Sequence, residues 1–131
     1  MKYKIGGVFS TCYFNEKFGM LAKIAHKRST VLITDETVYR FHKKKFNGWN
    51  VIVLRAGEDY KVQATADAII GNLIKMGADR GTLLVGVGGG MITDITGYVA
   101  TIYMRGLSFG FVPTTLLAMV DASIGGKNGV N

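Results

Sequence analysis

The sequence predicts an α/β fold, a parallel sheet with helices on both faces, on three observations. Short apolar runs recur at Val31–Ile33, which is wholly apolar, Val51–Leu54 and Leu83–Val87, with a further strand at Leu107–Val112, as strands covered on both sides read. Segments with apolar residues three and four apart separate those runs. Glycine is abundant, 18 residues against a single proline, and gathers in loops after apolar runs. Strands alternating with helices of this length make parallel crossovers.

Taken in order, residues 3–10 read as a strand, because apolar and aromatic residues recur between polar ones. Asn15 can cap a helix on which Phe18, Leu21, Ala22 and Ala25 share a face. The strand Val31–Ile33 follows, then a short basic helix from Glu36 to Phe46, then the strand Val51–Leu54. The clearest helix begins near Tyr60; Val62, Ala66, Ile69, Ile70, Leu73 and Gly77 line one side, and Gly77 can close it in the left-handed conformation. Leu83–Val87 is a strand, Ile92–Met104 a helix, Leu107–Val112 a strand, and Leu116–Val120 a short helix. The arrangement is Rossmann-like, and ligands in such sheets sit at the carboxyl ends of the strands.

At 131 residues and 48% hydrophobic composition the chain fits one domain, taken as 1–131. The single cysteine, Cys12, forbids an internal disulfide and suits a reducing compartment. The opening residues lack a signal-peptide run, and no later stretch is apolar for the ~18 residues a membrane span needs. A cytoplasmic location without membrane association is the expectation. Net charge is +7, and His42-Lys43-Lys44-Lys45 reads as a solvated face. Basic residues interleaved with exposed aromatics, or a fold signature, are missing from the sequence, so nucleic acid is not an expected partner. Arg105 and Lys127 lie in glycine-flanked turns, where positive charge serves anionic ligands.

Gly88-Gly89-Gly90 follows a strand and opens a helix, the context that a dinucleotide site requires, although without the usual G-x-G-x-x-G spacing. Asp94, four residues beyond Gly90, either complements the helix dipole or accepts hydrogen bonds from ribose or a nicotinamide amide. Asp35 ends a strand, and reads equally as a ribose ligand or a helix cap. In Gly57-Glu58-Asp59-Tyr60-Lys61 the acidic residues suit a helix start. Lys61 opposes the dipole there, and a nearby ligand anion is one reason for it. Pro113-Thr114-Thr115 reads as a turn with a cap, and Asp121 with Lys127 as a surface ion pair. His26 and His42 lack metal-ligand spacing, and Met20, Met76, Met91, Met104 and Met119 read as core filler.

The order of these signals is more specific than any one of them. GEDYK, then GGGMITDITG, then YMRG, then VPTTLLAMVDASIGGKNGVN resembles 3-dehydroquinate synthase, over about Asp35 to Asn131 and most densely from Gly88. The resemblance implies the amino-terminal NAD-binding domain of that fold. It also implies an enzyme that converts 3-deoxy-D-arabino-heptulosonate 7-phosphate to 3-dehydroquinate and phosphate in the shikimate pathway, a carbon-oxygen lyase dependent on NAD and a divalent metal. The cofactor oxidises one hydroxyl transiently and the protein supplies position and electrostatics. By match, Asp35, Glu58, Lys61, Gly89, Gly90, Asp94, Thr114 and Thr115 resemble NAD contacts. Asp121 and Lys127 resemble substrate contacts, with Lys127 also near the cofactor, and Arg105 resembles an arginine reaching a phosphate across a homodimer interface. Thr93 stands where glycine usually precedes the aspartate, and Asn128 where threonine usually follows the lysine.

The family's metal ligands, a glutamate and two histidines for zinc or cobalt, belong to a helical carboxyl-terminal domain. None can be placed here, so no catalytic residue is assigned and the isolated chain is expected to be inactive. The glycine-rich run Gly125–Asn131 has no closing element, which reads as the amino-terminal part of a longer enzyme. Other sugar-phosphate cyclases, the metal-dependent alcohol and glycerol dehydrogenases, and a non-catalytic nucleotide-binding module are the competing readings.

Overall fold

The computed structural model describes residues 2–5, 8–122 and 129–131. The four central apolar runs form one sheet: β3 (Thr30–Asp35), β4 (Asn50–Leu54), β5 (Leu83–Gly88) and β6 (Ser108–Pro113), following a separate hairpin of β1 (Lys2–Ile5) and β2 (Val8–Thr11). The sheet order is β4-β3-β5-β6 and every pairing in it is parallel, with Val31 opposite Asn50 and Leu84, and Leu84 opposite Phe109. Where one strand was expected over 3–10, β1 and β2 pair antiparallel instead, Ile5 opposite Val8. The Gly6-Gly7 pair interrupts the alternation, and such a pair is a hairpin signal.

Among the described residues, four α-helices cover the parallel sheet: α1 (Leu21–Ile24), α2 (Glu36–His42), α3 (Gln63–Lys75) and α4 (Gly90–Ile102). Alternation along the strands sorts their side chains onto two faces. Val31, Ile33, Ile52, Leu54 and Leu84 join Ala66, Ile69 and Leu73 of α3 and Ile92, Ile95, Val99 and Ala100 of α4 in the larger core. Leu32, Val85 and Val87 meet Leu21, Ala25 and Phe46 on the opposite side, with Val38 and Tyr39 of α2 packed against them. Helices thus lie on both faces, as the apolar runs required. β4 is an edge strand, and Val53 is left exposed.

Helix ends follow local chemistry more closely than periodicity foretold. Gly77 has φ 72, and the Gly77 and Ala78 N–H groups donate to the Ile74 and Leu73 carbonyls, closing α3 in a Schellman turn. Tyr60 lies in a 3₁₀ turn, Glu58–Tyr60, ahead of α3 rather than within it. Asn15 caps nothing: it sits at φ 58, and a 3₁₀ turn at Phe18–Met20 precedes α1. α4 stops at Ile102 and Met104 turns left-handed, so the helix does not reach Met104. Among the five methionines read as core filler, Met91 is buried while Met76, Met104 and Met119 are exposed. No described helix is long and apolar enough to cross a membrane.

Candidate functional site

The chain moves outward from β3 to β4, crosses back to β5, and then moves the other way to β6. The connections leaving β3 and β5 therefore part to opposite faces, opening a crevice at the carboxyl ends of these two central strands. Asp35 stands at the end of β3 and Gly88–Gly90 at the end of β5.

The two helices that start there are finished differently. Asp35 caps α2, its Oδ1 accepting from the N–H groups of Thr37 and Val38, each at 2.9 Å. The cap reading holds, and both cap bonds fall on Oδ1. At α4 the N-cap is Gly89, with no side-chain cap; the first bond is from the Thr93 N–H to the Gly89 carbonyl at 3.1 Å. The opening N–H groups of a thirteen-residue helix thus point, uncapped by any side chain, into the crevice. Such a terminus attracts anions.

The glycines of this stretch divide by role. A Cβ on Gly86 would lie 2.7 Å from Thr96 Oγ1, and one on Gly88 2.7 Å from Ile92 Cγ1. Both face α4, so their absent side chains let the helix lie close on β5. A Cβ on Gly89 would meet only the Thr115 side chain, at 3.2 Å, on the crevice side. Thr93 folds back onto the first turn of α4. It is fully buried, and its hydroxyl donates back to the Gly90 carbonyl at 3.1 Å. The departure from glycine at 93 consequently leaves the crevice clear.

Lys61 has charged partners within the chain itself. Its ammonium pairs with Glu58, one 3₁₀ turn back, and with Asp94 Oδ2 of α4 at 3.2 Å. These are the ion pairs among the described residues. The Glu58 hydrogen bond leads in raising the Lys61 pKa above its ordinary value; desolvation opposes it, and Asp94 adds to the rise. Lys61 and Asp94 are largely shielded while Glu58 is open to solvent. One residue of α4's second turn and one from the loop after β4 are so joined beside the uncapped terminus.

The turn after β6 closes on the same place. The Thr114 N–H donates to the Gly88 carbonyl at 2.8 Å, and Thr115 Oγ1 accepts from the Ala118 N–H at 3.2 Å. A π-helical turn, Ala118–Ala122, carries the backbone of Asp121. Lys127 and Asn128 lie outside the described residues. Of the run Gly125–Asn131, expected to have no closing element, the described end docks: Val130 packs against the larger core, and the Asn131 N–H donates to the Lys61 carbonyl at 2.8 Å. On the α2 side a half-open cavity of about 130 Å³ lies between Val38, Phe46, Val87 and Val112, with His42, Lys45 and Thr114 also lining it.

Arg105 stands apart from this cluster. It is exposed, beyond the end of α4, in a stretch where Met104, Arg105 and Gly106 have φ 47, 68 and 111. A left-handed reversal separates Arg105 from the axis of α4. Sequence reasoning also missed Thr34, which is buried and donates to the Val87 carbonyl at 2.7 Å, locking β3 to β5 just below the crevice. A threonine ending an apolar run was the available signal. Among the described residues no three of His, Cys, Asp and Glu gather closely enough to hold a metal ion.

Residues 51–131 match the model of the family described as 3-dehydroquinate synthase N-terminal. A 3-dehydroquinate synthase of Pyrococcus abyssi is 59% identical over 80 residues, 61% of this chain and 24% of that protein. Among solved structures, a 2-epi-5-epi-valiolone synthase from Streptomyces hygroscopicus subsp. jinggangensis, with NAD+ and Zn2+ bound, aligns with TM-score 0.80 and 27% identity over 98% of this chain and 40% of that one. A 2-deoxy-scyllo-inosose synthase complexed with carbaglucose-6-phosphate, NAD+ and Co2+ aligns with TM-score 0.72 and 27% identity, over 87% and 34%. The chain spans about a quarter of the Pyrococcus relative and 40% or less of these two enzymes. With a sheet, a crevice and a helix start that agree with the match, this chain belongs to the 3-dehydroquinate synthase N-terminal family.

Proposed function

We propose that the chain is the NAD-binding part of a 3-dehydroquinate synthase, which converts 3-deoxy-D-arabino-heptulosonate 7-phosphate to 3-dehydroquinate and phosphate in the shikimate pathway. The observation that carries this reading is the glycine-capped start of α4 beside the Lys61–Asp94 pair, at the carboxyl end of β5. Bound NAD supplies reversible hydride transfer. The α4 N–H groups, with Gly89 and Gly90, hold its pyrophosphate. Asp35 Oδ2 takes ribose hydroxyls while Oδ1 caps α2. Thr114 and Thr115 line the same crevice, and the apolar cavity beside Val38 and Thr114 suits a nucleobase.

Lys61 works as a fixed charge in this scheme. With its pKa raised it stays protonated at neutral pH, so it orients Glu58 and Asp94 toward the cofactor and moves no proton itself. Asp121 and Lys127 meet the phosphorylated sugar acid. Arg105, carried outward on its left-handed turn, grips a phosphate with paired hydrogen bonds in the neighbouring subunit of a homodimer. The zinc or cobalt site belongs to a carboxyl-terminal domain of the whole enzyme. A related sugar-phosphate cyclase is the second reading, favoured by the TM-score of 0.80 to the valiolone synthase.

Calorimetric titration of NAD into the chain and into Gly90→Val tests the cofactor reading. The wild type binds weakly and the variant does not, because a branched side chain there blocks the pyrophosphate; equal affinities overturn the assignment. Phosphate release from 3-deoxy-D-arabino-heptulosonate 7-phosphate by the full-length protein separates this synthase from the other cyclases.

A further inference from the structure

α3 and α4 lie side by side on one face of the sheet, and two polar links bind the start of α3 to α4. Asp94 and Tyr98 are one turn apart on α4 and so share a side of it. Asp94 accepts from Lys61 at 3.2 Å, and Tyr98 Oη donates to Gln63 Oε1 at 2.7 Å. Lys61 and Gln63 flank Val62, the N-cap of α3, which carries no side-chain cap. Gln63 Nε2 donates in turn to Asp67 Oδ1 at 2.8 Å. The amide is therefore held at both ends, its carbonyl committed to Tyr98.

Lys61 itself lies on irregular backbone, at φ −78 and ψ 65 just after the Glu58–Tyr60 turn. Nothing in a regular helix fixes the direction of its side chain. The backbone at Lys61 is held by its N–H donating to the Glu58 carbonyl at 3.0 Å and its carbonyl accepting from the Asn131 N–H at 2.8 Å, and the entry to α3 that follows is tied to α4 by the Tyr98 hydroxyl, one turn from Asp94. The Tyr98 ring packs at the edge of the larger core, a task that phenylalanine performs equally well. The hydroxyl is left with the clasp alone.

We propose that Tyr98 is a positioning residue for the cofactor site, holding Lys61 against Asp94 through its hydrogen bond to Gln63. The role rests on the NAD-binding reading above for its purpose, and on the geometry of α3 and α4 for its existence. Without the clasp the entry to α3 drifts from α4, and the Lys61 ammonium keeps only Glu58, which is largely exposed.

The test compares the wild-type chain with Tyr98→Phe, Gln63→Leu and the charge-neutral exchange Gln63→Glu with Asp67→Asn. That exchange restores an acceptor for Tyr98 and a donor for residue 63. Two measurements are made on each: the Lys61 titration by ¹³Cε NMR, and NAD affinity by calorimetry. Tyr98→Phe and Gln63→Leu lower the Lys61 titration midpoint and raise the NAD Kd about five-fold, the scale of one neutral hydrogen bond. The double exchange behaves as wild type in both. An unchanged Lys61 midpoint in Tyr98→Phe and Gln63→Leu, or a double exchange no better than Gln63→Leu, overturns the positioning role. If the wild type binds no NAD, the cofactor reading fails, and the Lys61 midpoint still decides Tyr98.

Discussion

The Lys61 ammonium donates to the Asp94 carboxylate at 3.2 Å, tying the segment before α3 to the second turn of α4. Glu58 holds the same ammonium from three residues back, so one cation serves two carboxylates beside an uncapped helix start. The opened N-terminus of α4 invites a negative ligand, while Glu58 and Asp94 place acceptors for hydroxyl or amide donors next to it. A dinucleotide offers both kinds of group.

Replacing Lys61 with methionine leaves Glu58 and Asp94 without their shared counter-charge. NAD affinity should fall by about ten-fold or more, on the scale of a charged hydrogen bond. The change should also alter the alkaline limb of stability. The Lys61 pKa is raised above its ordinary 10.5 in the folded chain. Its contribution is thus full below the unfolded pKa and is lost as pH rises through the folded one. Thermal unfolding measured from pH 8 upward should show a steeper alkaline decline in wild type than in Lys61→Met. Identical slopes would contradict the ion-pair role.

The glycines should separate by what their substitution damages. Gly88→Ala drives a Cβ to within 2.7 Å of Ile92 on α4, and should cost about 1–3 kcal/mol of stability by overpacking. Gly89→Ala meets only Thr115, at 3.2 Å, from an extended backbone that alanine tolerates. It should keep its thermal midpoint and lose NAD affinity. Denaturation and calorimetry on both variants give the answer, and a stable Gly88→Ala would mean that α4 is freer to move off β5 than its packing indicates.

Asp35 should show two separable functions. Asparagine retains the cap to Thr37 and Val38, whereas alanine removes both bonds and should cost about 1 kcal/mol. Both substitutions remove the carboxylate proposed to receive ribose hydroxyls. Asp35→Asn should therefore match wild type in stability and Asp35→Ala in weakened NAD binding. Wild-type affinity in Asp35→Asn would reduce the residue to a cap.

Arg105 occupies a left-handed position at φ 68, between Met104 at φ 47 and Gly106 at φ 111. A non-glycine residue there carries a backbone cost of about 1 kcal/mol that glycine avoids. Arg105→Gly should leave stability equal or slightly higher, and Arg105→Lys should leave it unchanged. In the full-length enzyme both should lose much of kcat/KM, since lysine cannot reproduce a paired grip on phosphate. Steady-state kinetics beside thermal unfolding decide between a phosphate contact and a structural residue: destabilisation beyond about 2 kcal/mol with intact kinetics would show the latter.

The sequence by itself determined the parallel sheet, because strands buried on both faces must be continuously apolar, and those runs at 31–33, 51–54 and 83–87 are local facts. It determined the end of α3 at Gly77 for the same reason, since a left-handed closure is a property of one residue and its neighbours. It also brought Gly88–Gly90 to a strand-to-helix turn. Only the tertiary structure decided which of these glycines pack against α4 and which face the crevice, because that depends on the face of β5 that α4 covers. Lys61 found its acceptor 33 residues away, a distance that no periodicity records, and the order β4-β3-β5-β6 is what closed it. The reversal at Met104–Gly106 and the docking of Val130 and Asn131 were likewise settled by the packed chain. Side-chain pattern reports which residues leave water, and three-dimensional packing alone decides what they meet.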